Sequence, residues 1–308
     1  GTMLMTRKSA LVATAPKAYN LLWLAMPFIV IVFLFSYVPI FGWIYSFFDY
    51  VPGVSIFDCD FVGLDYFKLI FNDDNVLRSL KNTFIFALIN ICLTPLPMFM
   101  AILLNELRNG PIKKFTQTFT TLPNFISWVI IFSLATALFA SDGIVTGLAT
   151  ALGIGDASNS LLGSNEAVYW FQSFLLQWKT LGWNSIIYMA AISGIDQEQY
   201  EAARIDGANR IQQMFHITLP GIMLTVSMLL VLRIGSLLSV GYEKIILLYQ
   251  PTTYAVADVI SSYVYRRGLQ SGEFSYGTAI GLFNSIVNII LLLIANRTSK
   301  KLGQSGLF

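Results

Sequence analysis

Long stretches without a single charged residue constrain this chain more than anything else in it. No Asp, Glu, Lys or Arg occurs between Lys17 and Asp49, between Lys81 and Glu106, or between Lys114 and Asp142. A helix needs about 20 mostly apolar residues to cross the hydrocarbon core of a bilayer. Inside that core a segment must satisfy its own backbone hydrogen bonds, which favours helices. Six spans are predicted, at about 20–48, 82–105, 119–140, 168–194, 222–248 and 276–296. The fourth carries Lys179, and the fifth carries Arg233, Glu243 and Lys244. Charged residues make up 12% of the chain and mean hydropathy is +0.66, whereas soluble domains spend about 25% on charge. The expected fold class is an all-α integral membrane protein, organised as an N-terminal segment (1–19), a six-span domain (20–296) and a tail (297–308).

The first apolar segment follows Arg7, Lys8 and Lys17, the arrangement of a secretory leader. A cleavable apolar core runs only about 7–15 residues, so a stretch of this length is expected to stay as an anchor. Lys and Arg counts then orient the spans. With the N-terminus inside, the inner segments hold Arg7, Lys8, Lys17, Arg108, Lys113, Lys114, Arg204, Arg210, Arg297, Lys300 and Lys301. The outer ones hold Lys68, Arg78, Lys81, Arg266 and Arg267. Both termini are therefore expected on the cytoplasmic side. The outer stretches 49–80 and 141–167 are long enough for short interfacial helices. Pro95 and Pro97 predict a kink in span two.

Several function classes fall away. A net charge of +2 without a basic run offers nothing to nucleic acid. One histidine, His216, and two distant cysteines, Cys59 and Cys92, provide neither a metal site nor a Ser-His-Asp triad. Cys59 is expected to be an exposed thiol and Cys92 a small buried apolar side chain. No catalytic residue is assigned. An ion-coupled secondary transporter would show inverted repeats with broken helices in both halves, and no such symmetry is visible.

The segment between spans four and five, at about 195–220, is polar yet ordered in pattern. Asp196 suits a helix N-cap, with Glu198 and Glu201 complementing the positive dipole end. Ala202, Ala203 and Ala208 favour helix, Gly207 permits a turn, and Pro220 suits the start of span five. A short helix with a small-residue face across the inner mouth follows. Such a helix suits either docking into a partner's groove or an ordinary surface.

This segment resembles the EAA loop of ABC importer permeases. Glu201-Ala202-Ala203 is followed after three residues by Gly207, then after nine by Ile217, and after one more by Leu219-Pro220. Through its whole length the chain is similar to the maltose-type carbohydrate uptake permeases, in the oligosaccharide branch, and within it to the permease subunits of bacterial alginate importers. The resemblance implies a type I ABC importer permease fold, with Glu201, Ala202, Ala203, Asp206, Gly207, Ala208, Ile217, Leu219 and Pro220 in ATPase docking. It also implies a second, homologous permease as heterodimer partner, two ATPase subunits carrying ATP and Mg, an external solute-binding protein, and a place in the bacterial inner membrane. The chain has no G-x-x-x-x-G-K-[ST] phosphate loop, so no cofactor is expected on it and hydrolysis is expected on the partner.

Charged residues within spans are expensive and mark functional hypotheses. Lys179 and Arg233 are expected near the middle of spans four and five. With Asn184, Tyr188, Tyr242, Glu243 and Asn284 they form the candidate substrate pathway, the resemblance pointing to Gly241-Tyr242-Glu243 as a lining segment. Two midplane cations suit an acidic sugar, because a carboxylate in a low-dielectric cavity needs a paired positive charge. Pairing of Lys179 or Arg233 with Glu243, or with the partner permease, is the competing reading.

Overall fold

The computed structural model describes residues 17–107, 110–153, 161–239, 241–248, 252–301 and 303. The helices in chain order are α1 (Lys17–Val32), α2 (Asp65–Asn72), α3 (Asp74–Leu93), α4 (Pro95–Glu106), α5 (Pro111–Thr121), α6 (Trp128–Phe139), α7 (Ile144–Ala151) and α8 (Val168–Ser193). They continue with α9 (Gln197–Ile205), α10 (Arg210–Gln213), α11 (Leu219–Gly221), α12 (Met223–Gly235), α13 (Tyr242–Leu248), α14 (Tyr254–Ala257), α15 (Ile260–Val264) and α16 (Phe274–Lys301). Among the described residues the only β pairing is an isolated bridge between Phe48 and Phe61.

Four helical stretches are long and apolar enough to cross a membrane: Trp23–Phe47, Asp74–Glu106, Trp128–Ala151 and Phe274–Lys301. A fifth arises if Arg210–Gly221 and Met223–Gly235, bent by 55° at Ile222, count as one. The 26-residue α8 has the length, but Gln172, Gln177, Lys179 and Asn184 dilute its apolar character. The expected six spans are thus four or five by length and composition among the described residues, with α8 the further candidate by length.

Three expected spans change shape for identifiable reasons. Span two begins earlier, because Asp73 caps α3 by accepting the Asn75 N–H, and it breaks at Thr94, where Pro95 and Pro97 open α4. The stretch expected as span three is interrupted by a 3₁₀ turn, Leu122–Phe125, after which Ser127 caps α6. The apolar helix there is therefore Trp128–Ala151 rather than 119–140. Span five ends early: α12 stops at Gly235 and α13 is a separate short helix. Pro220 lies before the 55° bend, so Met223 starts the span.

Packing forms along the length of the bundle. At one end α2, α3, α15 and α16 enclose Ile70, Val76, Ile260, Tyr263, Tyr276 and Ile280. At the other end α4, α8 and α12 enclose Met98, Ala101, Ile102, Tyr188, Ile192 and Ile222. Gly182 lets α8 press against the α5 terminus: a Cβ there would sit 2.3 Å from the Thr120 carbonyl carbon. The first span, by contrast, is exposed from Trp23 through Ile40 apart from the half-buried Ala25. Only its 3₁₀ end, Val38–Phe47, packs on α16. The cysteines differ from expectation: Cys59 is half-buried and Cys92 is exposed on α3.

A polar lock holds the α3 N-terminal end. Asp258 is fully buried, and its carboxylate accepts both Arg266 guanidinium nitrogens at 3.2 and 2.8 Å, Ser262 Oγ at 2.7 Å and Ser79 Oγ at 3.2 Å. Asn82 donates to the Asp258 and Ala255 carbonyls, and Thr83 Oγ1 accepts the Ile260 N–H. Beside this lock, Asp73 accepts the hydroxyls of Tyr263 (2.6 Å) and Tyr276 (3.0 Å). These bonds join segments far apart in sequence where few long helices meet.

Candidate functional site

Two features gather the candidate residues: the α9 segment at one end of the bundle, and a polar cavity partway along it.

Both ends of α9 are terminated by side chains or backbone suited to the task. Asp196 accepts the Glu198 N–H at 3.0 Å, and Glu198 and Arg204 complement opposite ends of the dipole. At the far end the Ala208 N–H reaches the Ala203 carbonyl (2.8 Å) and the Gly207 N–H reaches the Arg204 carbonyl (3.1 Å). This is a Schellman closure, which needs a left-handed residue after the cap. Gly207 supplies it with φ +79°. Asn209 and Gln212 then form a reciprocal capping box for α10 at 2.9 and 2.8 Å. Two consecutive helices are thereby fixed at a sharp corner.

The corner is tied to the bundle. Tyr200 and Thr218 share a hydrogen bond of 2.9 Å, and Gln213 Nε2 donates to the Ala208 carbonyl. A cavity of about 930 Å³ opens beside it, walled by Glu106, Lys113, Tyr200, Arg204, Arg210 and Gln213. Of the nine residues singled out in the sequence, Glu201, Ala202, Asp206 and Gly207 are exposed, while Ala203 and Ala208 are half-buried. Ile217 and Leu219 are also half-buried, Leu219 packing on the Met98–Ile192 cluster, and Pro220 is exposed. The motif thus splits into an outward helix and an inward anchor. Ile205, not singled out from the sequence, is 87% exposed at the tip of α9.

The second feature is a pair of adjoining cavities. One, about 260 Å³, is walled by Asn90, Thr94, Trp128, Arg233, Glu243 and Lys244, among others. The next, about 80 Å³, shares Asn90, Thr94, Leu176 and Arg233 and adds Gln177, Thr180, Asn184 and Tyr188. Gln177, Thr180, Asn184 and Tyr188 recur at three- and four-residue steps, so they stand on one face of α8. Thr94 enters the wall at the α3–α4 break.

Of the expected pathway residues, the structure brings Asn184, Tyr188, Arg233 and Glu243 to these walls. The side chain of Tyr242 lies outside the described residues. Lys179 is placed differently. Its ammonium donates to the carbonyls of Asn124 (2.9 Å), Pro123 (3.3 Å) and Ile126, and lies 5.6 Å from the centre of the Trp128 ring. Three carbonyls use all three donors of the ammonium. It therefore closes the 3₁₀ turn before α6 and is not among the cavity-lining residues. Asn284 is half-buried on α16, its Oδ1 without a partner, and borders neither cavity. No ion pair joins Glu243 to Lys179 or Arg233 among the described residues. Arg233 lies in the last turn of α12, at a helix end rather than mid-helix.

Asn90, Thr94, Gln177, Thr180 and Lys244 were not singled out as pathway residues from the sequence. For Gln177 and Thr180 the signal is a polar stripe at helical spacing along α8. Asn288, a polar residue of span six, instead splices backbone: its Oδ1 accepts the Leu238 N–H at 3.1 Å and its Nδ2 faces Ser239 Oγ at 3.2 Å.

Comparison with known proteins places this architecture. The family model described as the binding-protein-dependent transport system inner membrane component matches residues 93–303. The polygalacturonan/rhamnogalacturonan transport system permease protein YteP of Bacillus subtilis (strain 168) is 41% identical, over 98% of this chain and 94% of that protein. Protein LplB of the same organism is 40% identical, over 92% and 90%. A chain of a bacterial alginate ABC transporter, solved in complex with an alginate pentasaccharide-bound periplasmic protein, superposes with a TM-score of 0.84. It is 35% identical and covers 94% of this chain and 97% of its own. A bent helical bundle, a capped helix turned outward at one end and a match across two thirds of the length agree: the chain belongs to the binding-protein-dependent transport system inner membrane components, the permeases of ABC importers.

Proposed function

We propose that this chain is one of two homologous permease subunits of an ATP-driven importer for acidic oligosaccharides, crossing the bacterial inner membrane six times with both termini cytoplasmic. The observation that carries the reading is α9: a helix capped at both ends, exposed along Glu201, Ala202, Asp206 and Gly207, with Ile205 87% exposed beyond them. An apolar tip beside small residues suits insertion into a cleft, here that of a partner ATPase carrying ATP and Mg. Ile217 and Leu219 hold the helix to the bundle, and Pro220 stands just before the bend into α12. The excess of Lys and Arg on this side of the sequence supports a cytoplasmic α9. Two ATPase subunits and an external solute-binding protein complete the assembly.

The acidic class of substrate rests on two supports. The relatives act on polygalacturonan/rhamnogalacturonan and on alginate, polymers rich in uronic acids. The cavities present Arg233 beside Asn90, Asn184 and Tyr188, a set offering a cation for a carboxylate and donors for hydroxyls. Lys179 takes a structural role in this scheme.

The test is uptake into vesicles reconstituted with this chain, its companion permease, the ATPase and the binding protein. ATP-dependent uptake of a uronate oligosaccharide that stops without the binding protein is the expected result. Uptake by this chain alone, driven by an ion gradient, would sink the proposal.

A further inference from the structure

Among the described residues, Lys244 is the one lysine lining the two adjoining cavities, and its surroundings are unusual for an ammonium. The residue is 3% exposed, and its Nζ has no hydrogen-bond acceptor among the described residues. What it has is the face of Phe86, whose ring centre is 5.6 Å away. Phe86 itself is fully buried, in a cluster with Val168, Ile245, Ala257 and Val259. A cation stripped of water and given only a ring face loses most of its hydration without regaining it in hydrogen bonds. Buried charges in proteins are paired or bind something. Asp258, also buried, has four donors to its carboxylate and so obeys that rule within the chain.

The missing partner has a place to come from. Lys244 borders the 260 Å³ cavity, whose lining also includes Arg233, Asn90 and Thr94. Its neighbour Glu243 is exposed and lines the same cavity, yet forms no ion pair with Lys244. No carboxylate among the described residues of this chain takes the ammonium. A turn at Ser236–Leu238 separates α12 from the short helix α13, so Lys244 sits on an element distinct from α12.

We propose that Lys244 is the carboxylate-reading residue of the translocation pathway: its unpaired ammonium, stored against Phe86, pairs with a uronate carboxylate passing through the cavity it borders. This deepens the acidic-oligosaccharide reading and rests on it. Arg233 holds the next carboxylate or the same one. A neutral sugar offers Lys244 only hydroxyls, so the residue discriminates by charge and not by size.

The experiment compares Lys244→Met with wild type in the complete reconstituted importer, on an oligogalacturonate and on the same oligosaccharide with its carboxyls partly reduced to alcohols. The ratio of variant to wild-type uptake cancels the selectivity that the binding protein imposes. Loss of one charge-assisted hydrogen bond is expected to lower that ratio roughly ten- to hundredfold for the acidic sugar, and far less for the reduced one. Lys244→Arg is expected to bring uptake of the acidic sugar back toward wild type. If Lys244→Met does not assemble, Lys244→Gln is read in the same way. Equal losses on both sugars, or none on either, overturn the assignment while leaving the acidic-importer reading intact. A wild-type importer that takes up the reduced sugar and not the acidic one overturns both.

Discussion

Tyr200 on α9 and Thr218, immediately before α11, share a hydrogen bond of 2.9 Å across 18 residues of chain. Between them lie the Gly207 corner and α10, and just beyond lies the 55° bend at Ile222. Force applied to α9 therefore reaches α12, which carries Arg233 to the cavity, through a side-chain tie as well as through backbone.

Removing that tie is expected to weaken coupling more than folding. Tyr200→Phe and Thr218→Val each delete one partner, and a double-mutant cycle on thermal stability should give a coupling energy of about 1 kcal/mol. The same variants should keep ATPase attachment but lower uptake per ATP hydrolysed. Additive effects on both readouts would remove the tie from the mechanism.

Gly207 is tested by substitution at fixed φ. Its +79° backbone is strained for any L side chain, although a Cβ would meet nothing within 4 Å. Gly207→Ala should therefore destabilise the corner by about 1–2 kcal/mol through backbone strain alone. Gly207→Arg adds bulk at the exposed face proposed to dock the ATPase and should uncouple hydrolysis from transport. The check is ATPase copurification alongside circular dichroism, where helix content is expected to stay near wild type.

The buried Asp258–Arg266 pair predicts a large stability effect far from α9. Asp258→Asn leaves a guanidinium that is only 24% exposed without its counter-charge. The expected loss is on the order of 3 kcal/mol, read as a lower midpoint of thermal unfolding in detergent.

Acid should weaken the same end of the bundle through Asp73. Burial pushes its carboxyl up, but hydrogen bonds from Tyr263, the Asn75 N–H, Tyr276 and the Val76 N–H outweigh this and hold it below the ordinary value of 3.8. A folded-state value below the unfolded one contributes stability that is fully present above pH 3.8 and is lost as pH falls through the depressed value. Asp73→Asn should flatten the acid limb of a stability–pH curve in that window and change little near neutrality in its slope. An unchanged acid limb would assign that limb to other carboxylates.

Much of this protein was legible residue by residue. The charge-free runs mark the apolar helices, because removing a charge from water is costly at any position within a bilayer. Asp196, Gly207 and the EAA spacing mark α9, because capping and left-handed turns are decided within five or six residues of chain. Where a break signal was local, as at Pro95 and Pro97, the kink was legible too. The interruption at Leu122–Phe125 was not, since a single Pro123 in an apolar run does not show which side of it continues as the membrane helix.

The charged residues of spans four and five were legible as important but not as to role. Lys179 and Lys244 are both single cations in apolar surroundings, and no sequence rule separates them. Folding does: the 3₁₀ turn 53–56 residues upstream of Lys179 presents three carbonyls to its ammonium, whereas Lys244 meets only the ring of Phe86, 158 residues upstream. Sequence by itself determined where the apolar runs lie and how α9 is capped, because charge-free runs, caps and left-handed turns depend on near neighbours. Tertiary structure alone decided which of the two cations meets acceptors and which meets none among the described residues, because hydrogen-bond acceptors for such a cation come from wherever the fold brings them.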